Sequence, residues 1–67
     1  MKVHINDELK EFDSELTLVS LLNQIGMFDF TGWAVALNEE VIPASEIDST
    51  LIADGDRIIL VQATQGG

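Results

Sequence analysis

The residues of this chain best suited to chemistry are the last two, Gly66 and Gly67. Because glycine has no Cβ, a Gly-Gly end can pass through a narrow channel into the active site of another protein. The carboxylate of Gly67 would then be the only reactive group that has to enter that site. We therefore predict a flexible tail over residues 64–67 that presents this carboxylate. A chance ending is the plain alternative, since two terminal glycines occur in about half a percent of sequences when glycine makes up about 7% of residues.

The other side chains that could react lie apart from one another in the sequence. The chain has no Cys and no Tyr, and its one His, His4, falls within a predicted strand without a neighbour for a triad or a metal cluster. We predict His4 to be an exposed strand residue. The acidic pairs Glu39-Glu40 and Asp54-Gly55-Asp56 are predicted to be surface turns, and the second lacks the spacing of a calcium loop. We therefore expect no catalytic residue, no metal site and no stably bound cofactor.

Composition limits the classes of partner. The sequence has 67 residues, with 12 Asp and Glu against 3 Lys and Arg, and a net charge of −9. Such a surface repels nucleic acids and anionic membranes and attracts basic proteins, although the charge could also serve solubility alone. No apolar run approaches the about 20 residues of a membrane span, and no apolar signal-peptide core follows Met1. A single cytoplasmic domain over residues 1–67 is the expectation, with no nucleic-acid or membrane partner.

Hydrophobic periodicity predicts the elements that position the tail. Residues 2–6 and 9–12 alternate between polar and apolar types around a turn at residues 6–8, which indicates an N-terminal β-hairpin. Thr17 is a candidate helix N-cap, and Gly26 stands where a left-handed C-terminal cap would lie. Between them, four aliphatic residues recur with helical spacing on one face: Leu18, Leu21, Leu22 and Ile25.

The second half of the chain is predicted to return as strands separated by turns. In chain order the pattern predicts a loop, an internal strand, a short strand, a helical turn, a tight turn and a last strand: residues 27–32, 33–37, 41–42, 45–49, 54–56 and 57–63. Pro43 ends the short strand. The order ββαββ(turn)β predicts an α+β domain in which one helix packs on a sheet.

The last strand has a possible contact surface. If Ile58 and Leu60 point to the core, Ile59 and Val61 must point outward, where a one-sided sheet normally carries polar residues. We therefore assign partner docking to Ile59 and Val61, together with two residues further along the chain, Ala63 and Gln65. The alternative is that this strand is central and partly covered on both sides, or that two exposed apolar residues are routine.

Several stretches, taken in this order and at this spacing, resemble the sulfur carrier proteins of thiamine thiazole synthesis, the ThiS family. They cover essentially the whole chain: Thr17-Leu18-x-x-Leu21-Leu22, Val35-Ala36-Leu37-Asn38, Val41-Ile42-Pro43, Leu51, Asp54-Gly55-Asp56-Arg57-Ile58, and Val61 through Gly66-Gly67. The chain departs from the family pattern at Ala44, where a basic residue often follows the proline, and at Gln65, where a third glycine is common. These departures bear on partner contacts more than on the chemistry.

The resemblance implies a ubiquitin-like β-grasp fold, with a mixed sheet of four to five strands on one main helix. It also implies that an E1-like adenylyltransferase uses the Gly67 carboxylate to attack the α-phosphate of ATP. A persulfide sulfur would then replace AMP and leave a thiocarboxylate that donates sulfur to thiazole synthase, while Gly66 provides access. The ATP site, the persulfide donor and the catalytic groups would belong to partner enzymes, so this chain would be a protein cosubstrate.

Other functions stay open on the sequence. The small subunit of molybdopterin synthase resembles this chain in fold and in its Gly-Gly end but is usually longer, and a protein-modifying ubiquitin-like tag ranks third. An acyl carrier protein is a rival of a different class, because Asp13-Ser14-Glu15-Leu16 loosely resembles its attachment motif. Such carriers are helical bundles, whereas this sequence shows several strand-like segments. An acidic interaction module with an unreactive tail is the remaining alternative.

Overall fold

The computed structural model describes residues 1–13 and 15–63. Ser14 and the predicted tail, residues 64–67, lie outside the described part of the chain. The described residues form seven strands, one α-helix and one short 3-10 helix. In chain order these are β1 (Lys2–Ile5), β2 (Glu8–Glu11), β3 (Leu16–Thr17), α1 (Leu18–Gln24), β4 (Trp33–Leu37), β5 (Glu40–Val41), the 3-10 helix (Ala44–Glu46), β6 (Leu51–Ile52) and β7 (Arg57–Gln62).

The predicted N-terminal hairpin is confirmed. Strands β1 and β2 pair antiparallel, with Ile5 opposite Glu8. The two residues between them, Asn6 and Asp7, have positive φ angles of 49° and 68°. Two consecutive left-handed residues make a tight turn whose twist matches that of the flanking strands, and Asn and Asp adopt this conformation more readily than other non-glycine residues.

The main sheet is mixed and has the strand order β2-β1-β7-β4-β5. Strand β7 lies at its centre, parallel to β1 and antiparallel to β4. The last strand of the chain therefore runs between the first strand and the strand that follows the helix. This arrangement confirms the predicted α+β class, with five strands in the main sheet and one main helix.

Helix α1 is formed as predicted. The Ser20 amide donates to Thr17 Oγ1 at 3.2 Å, so Thr17 caps the helix N-terminus. Leu18, Leu21 and Leu22 are fully buried. The helix ends at Gln24, and Gly26 has a φ of +92°, in the left-handed region that glycine adopts without strain. The chain can therefore reverse direction at Gly26 and return toward the sheet.

One hydrophobic core joins the helix to the inner face of the sheet. Its buried side chains come from both halves of the chain and are aliphatic apart from one phenylalanine: Val3, Ile5, Phe12, Leu18, Leu21, Leu22, Val35, Ile47, Ile52 and Ile58. A chain of this size buries only about 60% of its unfolded surface. Each of these side chains therefore matters for stability.

The structure differs from the predicted elements mainly in two places, and in addition the helical turn predicted over residues 45–49 is a 3-10 helix over Ala44–Glu46. Strands β3 and β6 form a separate two-stranded ribbon that the sequence did not predict. Each has only two residues, too few to show a period, and they pair across more than thirty residues of chain. The short strand predicted over residues 41–42 is β5, which begins one residue earlier, at Glu40. Ile42 lies outside β5, although its amide still donates to the Val35 carbonyl at 2.8 Å.

Thr17→Ala should lower the free energy of unfolding by about 1 kcal/mol, because the Ser20 amide loses its acceptor at the helix N-terminus. Urea denaturation followed by the fluorescence of Trp33, the one tryptophan of the chain, measures the change. Thr17→Ser keeps the capping oxygen and is the matched control. Equal destabilisation by Ala and Ser would show that the hydroxyl group is not what stabilises the helix.

Candidate functional site

The two faces of β7 differ as the sequence predicted. On the inner face Ile58 is fully buried and Leu60 is half-buried against the core. On the outer face Ile59 is 38% exposed and Val61 is 55% exposed. Strand β7 is therefore central in the sheet and partly covered on its outer face, where both apolar side chains still reach solvent.

Ile59 and Val61 belong to a larger apolar surface on the outer face of the sheet. Ile59 lies opposite Ala36 and Val61 opposite Ala34, and directly opposed residues of paired strands share a face. Val41 is opposite Ala36 and is also exposed. We call these five residues the outer patch. Because the alanines are small, the two larger side chains of β7 stand above their neighbours on β4.

The polar groups around the start of β7 fix its position. The Asn38 Oδ1 atom accepts from the Arg57 amide, and its Nδ2 atom donates to Asp56 Oδ1, both at 3.0 Å. Asp56 Oδ2 accepts from the Ala53 amide at 2.8 Å, and Asp54 Oδ1 accepts from the Lys2 amide at 2.6 Å. The carboxylates of Asp54 and Asp56 thus accept hydrogen bonds in and around the predicted turn. Of the other acidic pair, Glu39 lies in a turn and Glu40 begins β5.

Where the parallel pairing of β1 with β7 ends, a side chain forms the next hydrogen bonds to β7. Strand β1 pairs with β7 only at Arg57 and Ile58. Further along, the Leu60 amide donates to Asn6 Oδ1 at 2.8 Å, and Asn6 Nδ2 donates to the Leu60 carbonyl at 3.3 Å. Asn6 therefore replaces a strand neighbour for Leu60. The sequence indicated a turn at Asn6 but carried no local signal for this long-range contact.

The far end of β7 is also paired, on the β4 side. Gln62 is in register with Trp33, and the Ala63 amide donates to the Gly32 carbonyl at 2.7 Å. Ala63 itself is exposed. The chain is therefore positioned up to residue 63. The remaining predicted site residues, Gln65, Gly66 and Gly67, lie outside the described residues.

His4 is not the exposed residue that the sequence predicted. It is half-buried, and its Nδ1 atom is buried without a hydrogen-bond partner among the described residues. Strand β1 lies inside the sheet, so His4 has a neighbour on each side, Leu9 of β2 and Arg57 of β7. The prediction was wrong because β1 could not be recognised as an internal strand from its own sequence.

The described surface around β7 is open and does not form an enclosed site. An open cleft of about 250 Å³ beside Ile59 is lined by Asn38, Glu39 and Arg57. Arg57 Nη2 lies 3.5 Å from Asp7 Oδ1, but both side chains are largely exposed, so this ion pair adds little stability. Within residues 1–13 and 15–63, no group of three or more His, Asp or Glu residues could hold a metal ion. No described helix is long and apolar enough to cross a membrane.

A mixed sheet packed on one helix, with the last strand at its centre, defines a ubiquitin-like β-grasp protein. Comparison with known families places the chain more closely: the family model described as "ThiS family" matches residues 3–67. The chain therefore belongs to the ThiS family, the sulfur carrier proteins of thiamine biosynthesis.

Individual relatives agree with this assignment. The sulfur carrier protein ThiS of Escherichia coli K12 is 30% identical over 67 residues, which cover all of both chains. The crystal structure of the thiamine biosynthesis protein (ThiS) from Geobacter metallireducens is 26% identical and superposes with a TM-score of 0.87 over all of both chains. A thiazole synthase of Paramagnetospirillum magneticum is 34% identical over 67 residues, and this chain spans only 20% of the length of that relative.

These findings decide between the alternatives that the sequence left open. The family match favours the thiamine pathway over the small subunit of molybdopterin synthase. The acyl carrier alternative was wrong, because the described residues form a five-stranded sheet with a single seven-residue α-helix instead of a helical bundle. Ser14, the attachment residue of that alternative, lies outside the described residues.

The contact between Asn6 and Leu60 can be tested by hydrogen exchange. Asn6→Gly tolerates the positive φ but removes both hydrogen bonds, so the Leu60 amide should lose about 1 kcal/mol of protection and exchange about fivefold faster. Asn6→Asp keeps the accepting oxygen and should protect that amide nearly as well as Asn. An unchanged exchange rate of the Leu60 amide in Asn6→Gly would show that the side chain does not hold this strand.

Proposed function

We propose that an E1-like adenylyltransferase activates the Gly67 carboxylate, that a persulfide donor converts it to a thiocarboxylate, and that thiazole synthase accepts the sulfur. The observation that best supports this proposal is the position of β7. It is the central strand and is hydrogen-bonded up to Ala63, so the four residues that follow start from a rigid support. The family match also extends through Gly67.

The chemistry needs only the carboxylate of this chain. A carboxylate is a poor electrophile, and attack of its oxygen on the α-phosphate of ATP releases pyrophosphate and creates a carbonyl with AMP as its leaving group. A persulfide sulfur then displaces AMP, and a thiol cleaves the resulting acyl disulfide to leave the thiocarboxylate. Because this chain has no cysteine, the persulfide and the thiol come from partner proteins. Gly66 gives the carboxylate access to a narrow site.

The protein thus serves as a cosubstrate and sulfur donor for partner enzymes. ATP binds to the adenylyltransferase and not stably to this chain. Since the carrier depends on ATP and on enzymes of a biosynthetic route, we place the cycle in the cytoplasm. The net charge of −9 favours encounter with enzymes whose docking surfaces are basic.

Thiazole synthase as the sulfur acceptor has separate support. A stretch of the P. magneticum thiazole synthase is similar to this entire chain and makes up a fifth of that protein. Carrier-like and synthase segments in one polypeptide are held at high effective concentration, which is useful when the two must react with each other.

The outer patch is the proposed docking surface for the adenylyltransferase. Ile59 and Val61 lie on the strand that leads to the tail, and the exposed Ala63 follows them. An enzyme that receives Gly67 must approach this end of the sheet, and contact with the exposed apolar side chains would remove them from water. Gln65 completes the proposed contact set along the tail.

Deletion of Gly67 should abolish sulfur transfer without changing stability. The shortened chain still ends in a carboxylate, but that group falls one residue short of the reacting centre, a misplacement that should lower the rate by at least about 100-fold. Intact-mass measurement after incubation with ATP, adenylyltransferase and persulfide donor detects exchange of one oxygen for sulfur. Gly67→Ala keeps the length and tests whether a Cβ is tolerated in the channel. The proposal fails if the wild-type chain shows no mass shift with its cognate enzymes, or if the deletion variant reacts normally.

Ile59→Asp and Val61→Asp should weaken binding to the adenylyltransferase while the protein stays folded. Loss of one buried aliphatic contact should raise the KM for the carrier by at least about tenfold, with little change in kcat at saturation. ATP–pyrophosphate exchange measures both constants. Leu9→Asp is the matched control for Val61→Asp, because Leu9 is 54% exposed and lies on β2, two strands away from β7. If Leu9→Asp raises KM equally, added charge and not the outer patch explains the effect.

A further inference from the structure

A second apolar surface lies on the opposite side of the sheet, at the same end of β7. It is an open cleft of about 590 Å³ between the C-terminal end of α1 and the start of β4. We call it the tail-root cleft. Its apolar lining comes from the helix end, the following loop and the inner face of the sheet: Ile25, Met27, Phe28, Trp33 and Leu60.

The loop that forms one wall of this cleft is well anchored. The Met27 amide donates to the Leu22 carbonyl, and Asn23 Nδ2 donates to the Met27 carbonyl, both at 2.9 Å. Met27 and Phe30 pack against the core. Phe28, between them, is 73% exposed and is the most exposed large apolar side chain in the described part of the protein. Because the backbone is anchored on both sides of Phe28, its aromatic ring is held at the cleft and stays exposed to solvent.

The loop beside the cleft is hydrogen-bonded to Ala63, the residue after which the tail begins. Gly32, at the end of the same loop, accepts the hydrogen bond from the Ala63 amide, and Trp33 is in register with Gln62. The four residues after Ala63 reach at most about 14 Å when fully extended. Any active site that receives Gly67 must therefore come within this distance of Ala63, which is hydrogen-bonded to the loop beside the cleft.

The apolar lining and the negative charge of the cleft limit the kinds of molecule that fit it. The tail itself is a poor match, because uncharged polar residues and a terminal carboxylate would meet an apolar lining and the carboxylate of Asp29. A second copy of this chain is opposed by a net charge of −9 on each molecule. A different protein, with an apolar protrusion and a basic side chain, fits both the lining and the charge.

Asp29 is the charged residue of the cleft, and its geometry suits it to a cationic partner. Its Oδ1 atom accepts from the Thr31 amide at 3.0 Å. The carboxylate of Asp29 is ionised at neutral pH even at its ordinary pKa, and the backbone and side-chain hydrogen bonds from Thr31 hold that pKa lower still. It lies on the cleft rim, fully exposed, where a lysine or arginine of a partner can reach it.

We propose that the adenylyltransferase fills the tail-root cleft with an apolar protrusion packed against Phe28 and pairs a lysine or arginine with Asp29. This inference rests on the proposed function and adds a second contact to it: the enzyme holds the end of β7 from both faces of the sheet. Adenylation is the step that most needs water to be excluded, because an acyl adenylate reacts with water more readily than a carboxylate or a thiocarboxylate. Closure of the enzyme around the tail excludes water.

Phe28→Asp tests the proposal. We expect the KM for the carrier in ATP–pyrophosphate exchange to rise at least about tenfold, with kcat at saturation nearly unchanged. Leu51→Asp is the matched control, because Leu51 is 72% exposed but lies beside Thr17, at the opposite end of α1. It should leave KM unchanged. Asp29→Asn should raise KM about threefold at low salt and have little effect at high salt, as expected for an exposed ion pair.

The outcomes separate this inference from the proposed function. If the wild-type carrier is adenylated and Phe28→Asp has the KM of Leu51→Asp, the cleft proposal is wrong while the carrier function stands. If the chemically prepared thiocarboxylate form of Phe28→Asp loses only the transfer to thiazole synthase, the cleft belongs to that enzyme and the assignment to the adenylyltransferase is overturned. Concentration-dependent dimerisation that Phe28→Asp abolishes would overturn it in favour of a second copy. Failure of the wild-type chain to react concerns the proposed function instead.

Discussion

The pairing of β7 in the middle of the sheet is the constraint on which the rest of this structure depends. The strand is held by β4 along its whole length on one side, and by β1 and then the Asn6 side chain on the other. A strand with neighbours on both sides has its backbone groups satisfied and cannot slide without breaking two ladders. The last described residues, Gln62 and Ala63, are therefore held in place.

The two faces of β7, at the centre of the sheet, also lie in different environments. The inner face contributes Ile58 to the core, which the helix covers through Leu18, Leu21 and Leu22. The outer face keeps Ile59 and Val61 in water beside the small side chains of β4. In a protein with so small a core, aliphatic residues that could have been buried are instead exposed next to the reactive tail. The proposed docking to partner enzymes, rather than stability, would account for their position.

Charge and apolar contact serve different stages of recognition. In the proposed interactions, the acidic surface acts at long range and steers encounter with basic partners, whereas the outer patch and the tail-root cleft act only on contact. Both apolar surfaces include side chains of β7, Ile59 and Val61 on the outer face and Leu60 on the inner face. An enzyme that closes on both would position the carboxylate and exclude water with one set of contacts.

The sequence by itself determined the local features, because each depends on residues close together in the chain. Alternation predicted the hairpin and β7 with its two faces, the spacing of the leucines predicted α1 between Thr17 and Gly26, and the family resemblance was carried by the order of such segments. Only the tertiary structure decided what depends on distant residues. These are the parallel pairing of β1 with β7, the β3–β6 ribbon, the contact of Asn6 with Leu60, the partial burial of His4, and the cleft that joins Phe28 to the end of β7. No local period encodes such pairings, since their energy comes from groups that meet only when the whole chain has folded.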